Sequence, residues 1–320
     1  MQKFDADSTS LDVLSWSKLH PCYLNRQIII LMSTIGVKDS VFEMKQKEFL
    51  AQLDAILVDP EKAREAMDRI CHGELVKILR EMILCGYKPD SEPFLSMMLR
   101  TIRASKLLDL RTRTRILIEK GGILMGCLDE TGTLEYGQVF VQYSDSKSRQ
   151  SSSETLLTFN DRQSNRNCHI IEGKVAIAKN PCLQPGDLRV QQAVDVVVLH
   201  HMVDCIVFPQ KGPSDLDGDL YFVSWDEDLI PPCNFVPMDY RAEPTKLLDR
   251  DVTMEEPSME MSEQCIALAK LSSKAADFPK TGIPANIPSR LRISEYPDFM
   301  EKPDRLTYES QSVIVGSTMR

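Results

Sequence analysis

Three carboxylates alternate around a glycine in the stretch Ser214-Asp215-Leu216-Asp217-Gly218-Asp219-Leu220-Tyr221-Phe222. In an extended or tightly looped backbone alternate residues point the same way, so Asp215, Asp217 and Asp219 can converge on one point while Gly218 lets the chain turn. Carboxylates gathered at one point repel one another unless a hard cation lies between them. An all-oxygen donor set suits Mg2+, with Mn2+ as a substitute, and such an ion keeps waters and substrate phosphates in its shell. The chemistry this allows is attack of a hydroxyl on a phosphate, with charge neutralised on both the attacking and the leaving oxygen. A solvated acidic turn is the bland alternative. A calcium loop of the EF-hand type fails, because its sixth position would be Leu220 rather than Gly and its twelfth Asp226 rather than Glu. A glycosidase pair is disfavoured, since three clustered acids serve a metal better than a proton shuttle and nothing else suggests a sugar groove.

The elements that must position these aspartates alternate between two patterns. From about Tyr23 to Leu110 the sequence reads as helices, interrupted at Gly36, Pro60, Gly73 and Lys88-Pro89. The last of them carries Arg100, Arg103, Lys106, Arg111, Arg113 and Arg115 against one acid, Asp109. A solvated face is one account of that charge; contact with a phosphate backbone is the other, favoured by its position ahead of the strands. From Ile116 short β-branched and aromatic runs take over, at residues 116–118, 123–126, 137–143, 170–171, 174–178, 205–208 and 220–223. That succession reads as a barrel. Residues 144–167 read as a polar surface loop, and 191–202 as a helix ending in His200 and His201, whose adjacency suits a cap or packing pair better than metal ligation. Residues 230–253 carry little regular pattern, 261–276 return to helix, and 278–289 read as an extended, proline-punctuated segment.

A chain of 320 residues suits about two domains, and 42% hydrophobic residues can supply their cores. A formal charge of −9 argues against nonspecific coating of nucleic acid, but a local basic strip can still hold phosphates. Nine cysteines without a CxxC pair read as reduced thiols, which places the protein in the cytoplasm, the nucleus or both. The first residues lack an apolar signal core, and the strongest apolar run, Ile28 to Met32, is too short to span a bilayer. No membrane is expected as a partner.

Upstream of the aspartates run Glu172-Gly-Lys-Val-Ala-Ile-Ala-Lys179-Asn-Pro-Cys-Leu-Gln-Pro-Gly-Asp187 and Val203-Asp-Cys-Ile-Val-Phe-Pro-Gln-Lys-Gly212. Together with SDLDGDLYFVSWD they closely resemble the catalytic region of the eukaryotic cellular RNA-dependent RNA polymerases of RNA silencing, plant type, over nearly the whole chain. The resemblance implies an α+β chain: an N-terminal segment (1–22), a helical subdomain (23–111), a double-psi β-barrel catalytic domain (112–228) and a partly helical C-terminal segment (229–320). It implies nucleotidyl transfer onto RNA, making double-stranded RNA for small interfering RNA production. Asp215, Asp217 and Asp219 would be the catalytic metal ligands. Lys179, in a counterpart of the Arg-x-Pro-x-Leu segment of the related cellular RNA polymerases, would meet the incoming nucleotide, with Lys174 and Lys211 as weaker phosphate contacts. Expected partners are a single-stranded RNA template, nucleoside triphosphates and other silencing proteins.

Two internal departures stand against the family pattern. Pro213 joins Gly212 directly to Ser214 where the family has an additional short loop, and Pro257-Ser258 close a gap after Glu256. The family enzyme is also much longer and carries a first barrel. The expectation is therefore a truncated polymerase of doubtful activity by itself, the alternative being a non-catalytic RNA-binding or regulatory fragment that keeps the fold.

Overall fold

The computed structural model describes residues 16–70, 73–144, 168–179, 182, 184–210, 218–236, 267–268, 270–272, 274–275, 285–292, 295–297 and 304–308. It is a mixed α+β structure with a large sheet. The chain divides into two units, one made of residues 1–20, 122–173 and 191–221, the other of 21–121, 174–190 and 222–320.

The helices belong to the second unit. They follow a short strand, β1 (His20–Leu24), in which Cys22 and Leu24 are buried. Helix α1 (Arg26–Thr34) starts where Asn25 accepts the Ile28 N–H on its side-chain oxygen at 2.9 Å. Helix α2 (Asp39–Ala55) and helix α3 (Pro60–Ile70) are separated at the expected proline, where the Asp59 carboxylate accepts the Glu61 N–H at 2.9 Å. Helix α4 (Glu74–Leu84) follows Gly73. Helix α5 (Pro93–Arg113) is capped by Glu92 at its start and ends at Thr114, a buried non-glycine residue at φ 53°. Ile56, Ala63, Met67, Leu79, Ile83, Leu95 and Leu99 form one apolar cluster drawn from the turn after α2 and from α3, α4 and α5. Every expected helix break falls where one helix stops, but the chain enters the region through a strand rather than a helix.

Strand β2 (Ile116–Leu128) is a single strand where the sequence suggested two short ones. The glycines Gly121 and Gly122 interrupt its apolar run without interrupting the strand. Gly121 is there for space: a Cβ would lie 3.0 Å from both Cys22 Sγ and the Val223 carbonyl. Strands β3 (Gln138–Ser144), β4 (Cys168–Ile171), β5 (Gly173–Lys179), β6 (Leu188–Ala193), β7 (Cys205–Phe208) and β8 (Leu220–Ser224) complete the sheet. The hydrogen-bonded order is β1-β2-β7-β3-β6-β5-β8, with β4 on β3 and a further pairing of β2 with β8.

In the first unit β7 runs parallel to β2, Leu128 opposite Phe208, and antiparallel to β3, Phe140 opposite Val207. Phe140, Val207, Leu199, Leu134 and Cys205 form its apolar cluster. The helix expected over 191–202 is not formed. Residues up to Ala193 are strand β6, paired in parallel with β3 through Gln192 and Ala193, and only Val197–Leu199 makes a short 3-10 turn. The β-branched run Val194-Asp-Val-Val-Val, which follows the strand, loses side-chain freedom in a helix and so does not continue one. The polar loop expected at 144–167 lies outside the described residues apart from Ser144, which ends β3. The described residues of 267–275 are helical, in keeping with the expectation for that stretch. Short strands β9 (Glu295–Pro297) and β10 (Leu306–Tyr308) pair in parallel. Among the described residues no helix is long and apolar enough to cross a membrane, and the cysteines are free thiols.

Candidate active site

Strands β7 and β8 are the two arms of the aspartate segment. The segment itself, with Lys211, Asp215 and Asp217, lies outside the described residues; Gly218 and Asp219 are described. Gly218 adopts φ +97°, and nothing lies within 4 Å of where its Cβ would be, so glycine is required by backbone angle and not by space. Asp219 is half-buried immediately before β8, and its carbonyl accepts the Gly126 N–H of β2 at 3.0 Å. Tyr221, Phe222, Val223 and Ser224 are buried, which fixes the strand after the motif.

The leading arm is held by two buried acids that the sequence did not single out. Asp204, at φ 58°, turns the chain into β7, and its carboxylate accepts the Ser144 N–H at 2.8 Å and the Ser144 hydroxyl at 2.9 Å. Asp129, fully buried just after β2, donates its own N–H to the Phe208 carbonyl at 2.8 Å, where β7 ends. Its carboxylate accepts the N–H groups of Thr131 at 2.9 Å and Leu134 at 2.8 Å, and the Thr131 hydroxyl. Burial alone would raise the Asp129 pKa, but these hydrogen bonds, led by the one from Leu134, hold it below the usual carboxylate value. The two arms also touch: the rings of Phe208 and Tyr221 lie 4.8 Å apart between centroids, tilted by 52°. Asp129 was legible as the first residue of Asp-Glu-Thr-Gly, an acid and a glycine bounding a turn; Asp204 left no comparable signal.

Lys174 and Lys179 bracket β5 as its exposed residues, on either side of the buried Val175, Ala176, Ile177 and Ala178. Beyond them Cys182 is buried, and burial together with the neighbouring Asp187 charge pushes its thiol up to about 11. Asp187 accepts the Gln184 N–H at 2.9 Å and so closes the turn that leads into β6. The structure leaves Lys179 on the surface of its own strand, as expected of a ligand-facing cation and equally of a solvated one.

The six cations of the expected phosphate strip do not form one stripe. Arg103 pairs with Asp54 of α2 at 2.6 Å, and Arg113 lies 3.7 Å from Asp109. Lys106 and Arg115 each approach the ring of Tyr23 to 5.8 Å. Arg100 and Arg111 are exposed. Arg100 also lines a surface groove of about 610 Å3 with Asp90, Glu92, Met97 and Ala104. Helical geometry is the cause: at about 100° per residue the spacings from Arg100 to Arg113 fan the cations over nearly half the circumference of α5, and Arg115 lies beyond its end.

Among the described residues no three His, Cys, Asp or Glu side chains converge, which follows from two of the three aspartates lying outside them. The donor set named by the sequence is carboxylate throughout, and that chemistry fits a hard divalent cation.

A family model described as RNA dependent RNA polymerase matches residues 1–261 and 255–317. RNA-dependent RNA polymerase 1 of Arabidopsis thaliana is 54% identical over 351 residues, covering 98% of this chain and 30% of the relative. Probable RNA-dependent RNA polymerase 1 of Oryza sativa subsp. japonica is 51% identical, covering 98% of the chain and 45% of the relative. The chain thus spans 30% and 45% of these two relatives' lengths. An alignment of 351 positions against a chain of 320 leaves at least 31 positions that the Arabidopsis relative fills and this chain does not. Among solved structures, the RNA dependent RNA polymerase QDE-1 from Thielavia terrestris superposes with a TM-score of 0.50 and 20% identity, over 71% of this chain and 27% of that one. The aspartate motif and the strands that carry it sit within a chain that belongs to the plant-type cellular RNA-dependent RNA polymerase family.

Proposed function

We propose that this chain carries the nucleotidyl-transfer site of an RNA-directed RNA polymerase, making double-stranded RNA for small interfering RNA production. The observation that supports it most is the placement of the family's Asp-Leu-Asp-Gly-Asp motif between β7 and β8, with both arms fastened to the end of β2. Divalent metal, Mg2+ or Mn2+, would be held by Asp215, Asp217 and Asp219 and would supply neutralising charge at the reacting phosphate. The chain's own part is to hold those carboxylates together against their repulsion, to present Lys179 to the nucleotide with Lys174 and Lys211 as further phosphate contacts, and to hold template phosphates through the exposed Arg100 and Arg111.

The catalytic segment would be residues 112–228, folded as a double-psi β-barrel; a strand order in which β8 pairs with β2 as well as β5 supports that assignment. Template RNA and nucleoside triphosphates are the proposed partners, joined by other silencing proteins, in the cytoplasm, the nucleus or both. A second reading, a non-catalytic RNA-binding or regulatory fragment, is favoured by one observation. The relatives fill positions that this chain lacks, and the two stretches of the family match meet at 255–261, where Glu256 joins Pro257.

The test is nucleotide incorporation on a single-stranded RNA template with Mg2+, in the wild type and in Asp217→Ala. Incorporation lost in the variant establishes the polymerase reading. RNA binding without incorporation in either protein establishes the fragment. A companion test shortens the loop of a full-length relative to the direct Gly-Pro-Ser junction seen here; turnover should fall by orders of magnitude if that junction misplaces the aspartates.

A further inference from the structure

The end of β2 grips both sides of the aspartate segment through residues to which the family motif assigns no part. On one side, the Asp129 N–H bonds the Phe208 carbonyl at 2.8 Å, and the turn after Asp129 reaches Gln210, whose amide donates to the Glu130 carbonyl at 3.3 Å. Gly132 lets that turn close, at φ +68° with the Gln210 side chain 3.7 Å from where a Cβ would lie. On the other side, Gly126 N–H bonds the Asp219 carbonyl at 3.0 Å. The turn keeps its shape because the Asp129 carboxylate accepts from Thr131 and Leu134 inside the protein.

We propose that Asp129 is a positioning residue for the metal-binding aspartates. By closing the turn of residues 130–134 against Gln210 it sets where the aspartate segment leaves β7, while Gly126 sets where the segment rejoins the sheet at Asp219. The proposal rests on the polymerase reading for its consequence, but not for its geometry. Thr131 bonds one carboxylate oxygen and Leu134 the other, so an amide at this position leaves one of these donors facing an N–H2 group instead of an acceptor, and the turn loosens against Gln210.

Two readouts on the full 320-residue chain separate the clamp from the metal site. Hydrogen exchange without metal follows the peptide spanning residues 209–219, and Mn2+ titration by electron paramagnetic resonance follows the aspartates. In Asp129→Asn that peptide should exchange several-fold faster, and Mn2+ affinity should fall about tenfold, the scale of lost support behind a metal ligand. Titration well below the melting temperature keeps both proteins folded, so a loss of stability alone does not move the affinity. Gln210 is exposed, so Gln210→Ala tests the same contact without endangering the fold, and should raise exchange and weaken Mn2+ binding by a smaller factor. If Asp129→Asn does not fold, Gln210→Ala decides by itself. Unchanged exchange at 209–219 in the folded variants overturns the clamp. Faster exchange with unchanged Mn2+ affinity overturns the positioning role. If the wild type binds no Mn2+, the metal site fails and exchange alone decides whether the clamp exists.

Discussion

The helices of residues 26–113 and the strands around β7 are held together in different ways. The helical region draws its cohesion from a shared apolar cluster, Ile56, Ala63, Met67, Leu79, Ile83, Leu95 and Leu99, with capping residues that act within a few positions of themselves. The strands that carry the aspartate segment have an apolar cluster too, but their ends are fixed by ties that reach far along the sequence, the buried Asp204 carboxylate to Ser144 and the Asp129 backbone N–H to Phe208, while the Asp129 carboxylate holds the turn beside it. Apolar packing is redundant, since a neighbour can shift to fill a gap. A buried carboxylate is not, because each oxygen has chosen donors and their loss leaves them unsatisfied. The proposed metal site, which would hold three like charges together, calls for the second kind of fastening.

The largest expected effect tests whether the helical region also depends on one polar tie. Lys45 of α2, 12% exposed, lies 2.8 Å from Asp226, 7% exposed, just after β8. Lys45→Met leaves Asp226 buried without its cation and should cost about 3–5 kcal/mol in denaturant unfolding. Burial lowers the Lys45 pKa, but the hydrogen bond and charge of Asp226, with Glu48 and Asp228, outweigh it and raise the pKa overall. A raised pKa means this stability is fully present below pH 10.5 and is lost as pH rises through the folded value, so the variant should lack the wild type's alkaline loss.

Leu99→Ala, in the helical cluster, should cost about 2–5 kcal/mol by cavity formation, with no change in exchange at residues 209–219. A change there would break the comparison. Asp204→Ala should cost less, about 1–3 kcal/mol, because Ser144 loses its acceptor, yet should disturb the entry into β7 more than the larger Leu99 loss does. Asp204→Asn, which tolerates the same positive φ, should lose less than the alanine variant.

Asp129 gives a pH test of smaller size. Its lowered pKa makes its contribution present above 3.8 and lost as pH falls through the folded value. Acid unfolding of Asp129→Asn should therefore show a shallower loss of stability below pH 3.8 than the wild type, measured by circular dichroism at constant salt. The smallest effect sharpens the helix surface. Arg103→Ala, whose partner Asp54 is exposed, should change stability by less than about 1 kcal/mol and leave the salt slope of RNA affinity alone. Arg100→Ala with Arg111→Ala should flatten that slope by roughly one to two units if each contacts a phosphate; an unchanged slope assigns them to the solvated face.

Much of the helical region was legible because its signals are local. Pro60, Gly73 and Lys88-Pro89 end or start helices whatever surrounds them, and apolar spacing names the buried face. Strands β3, β5, β7 and β8 were legible for the same reason, as was the turn at Gly218, where φ +97° follows from a glycine between acids. Residues 191–202 read as a helix because Val190 to Leu199 has no breaker and no clean alternation, yet Gln191 to Ala193 complete strand β6. Its identity came from pairing with β3, a partner some fifty residues earlier in the chain, at Gln138 and Val139.

The sequence by itself determined the chemistry: the types and spacing of Asp215, Asp217 and Asp219, their family, and the strands on either side. Only the tertiary structure decided how those strands are fastened and which cations are engaged. Arg103 and Asp54 are 49 residues apart, and Asp204 and Ser144 are 60. No local pattern encodes such pairs, because a side chain's hydrogen-bond partner is set by which backbones the fold brings within about 3 Å of it.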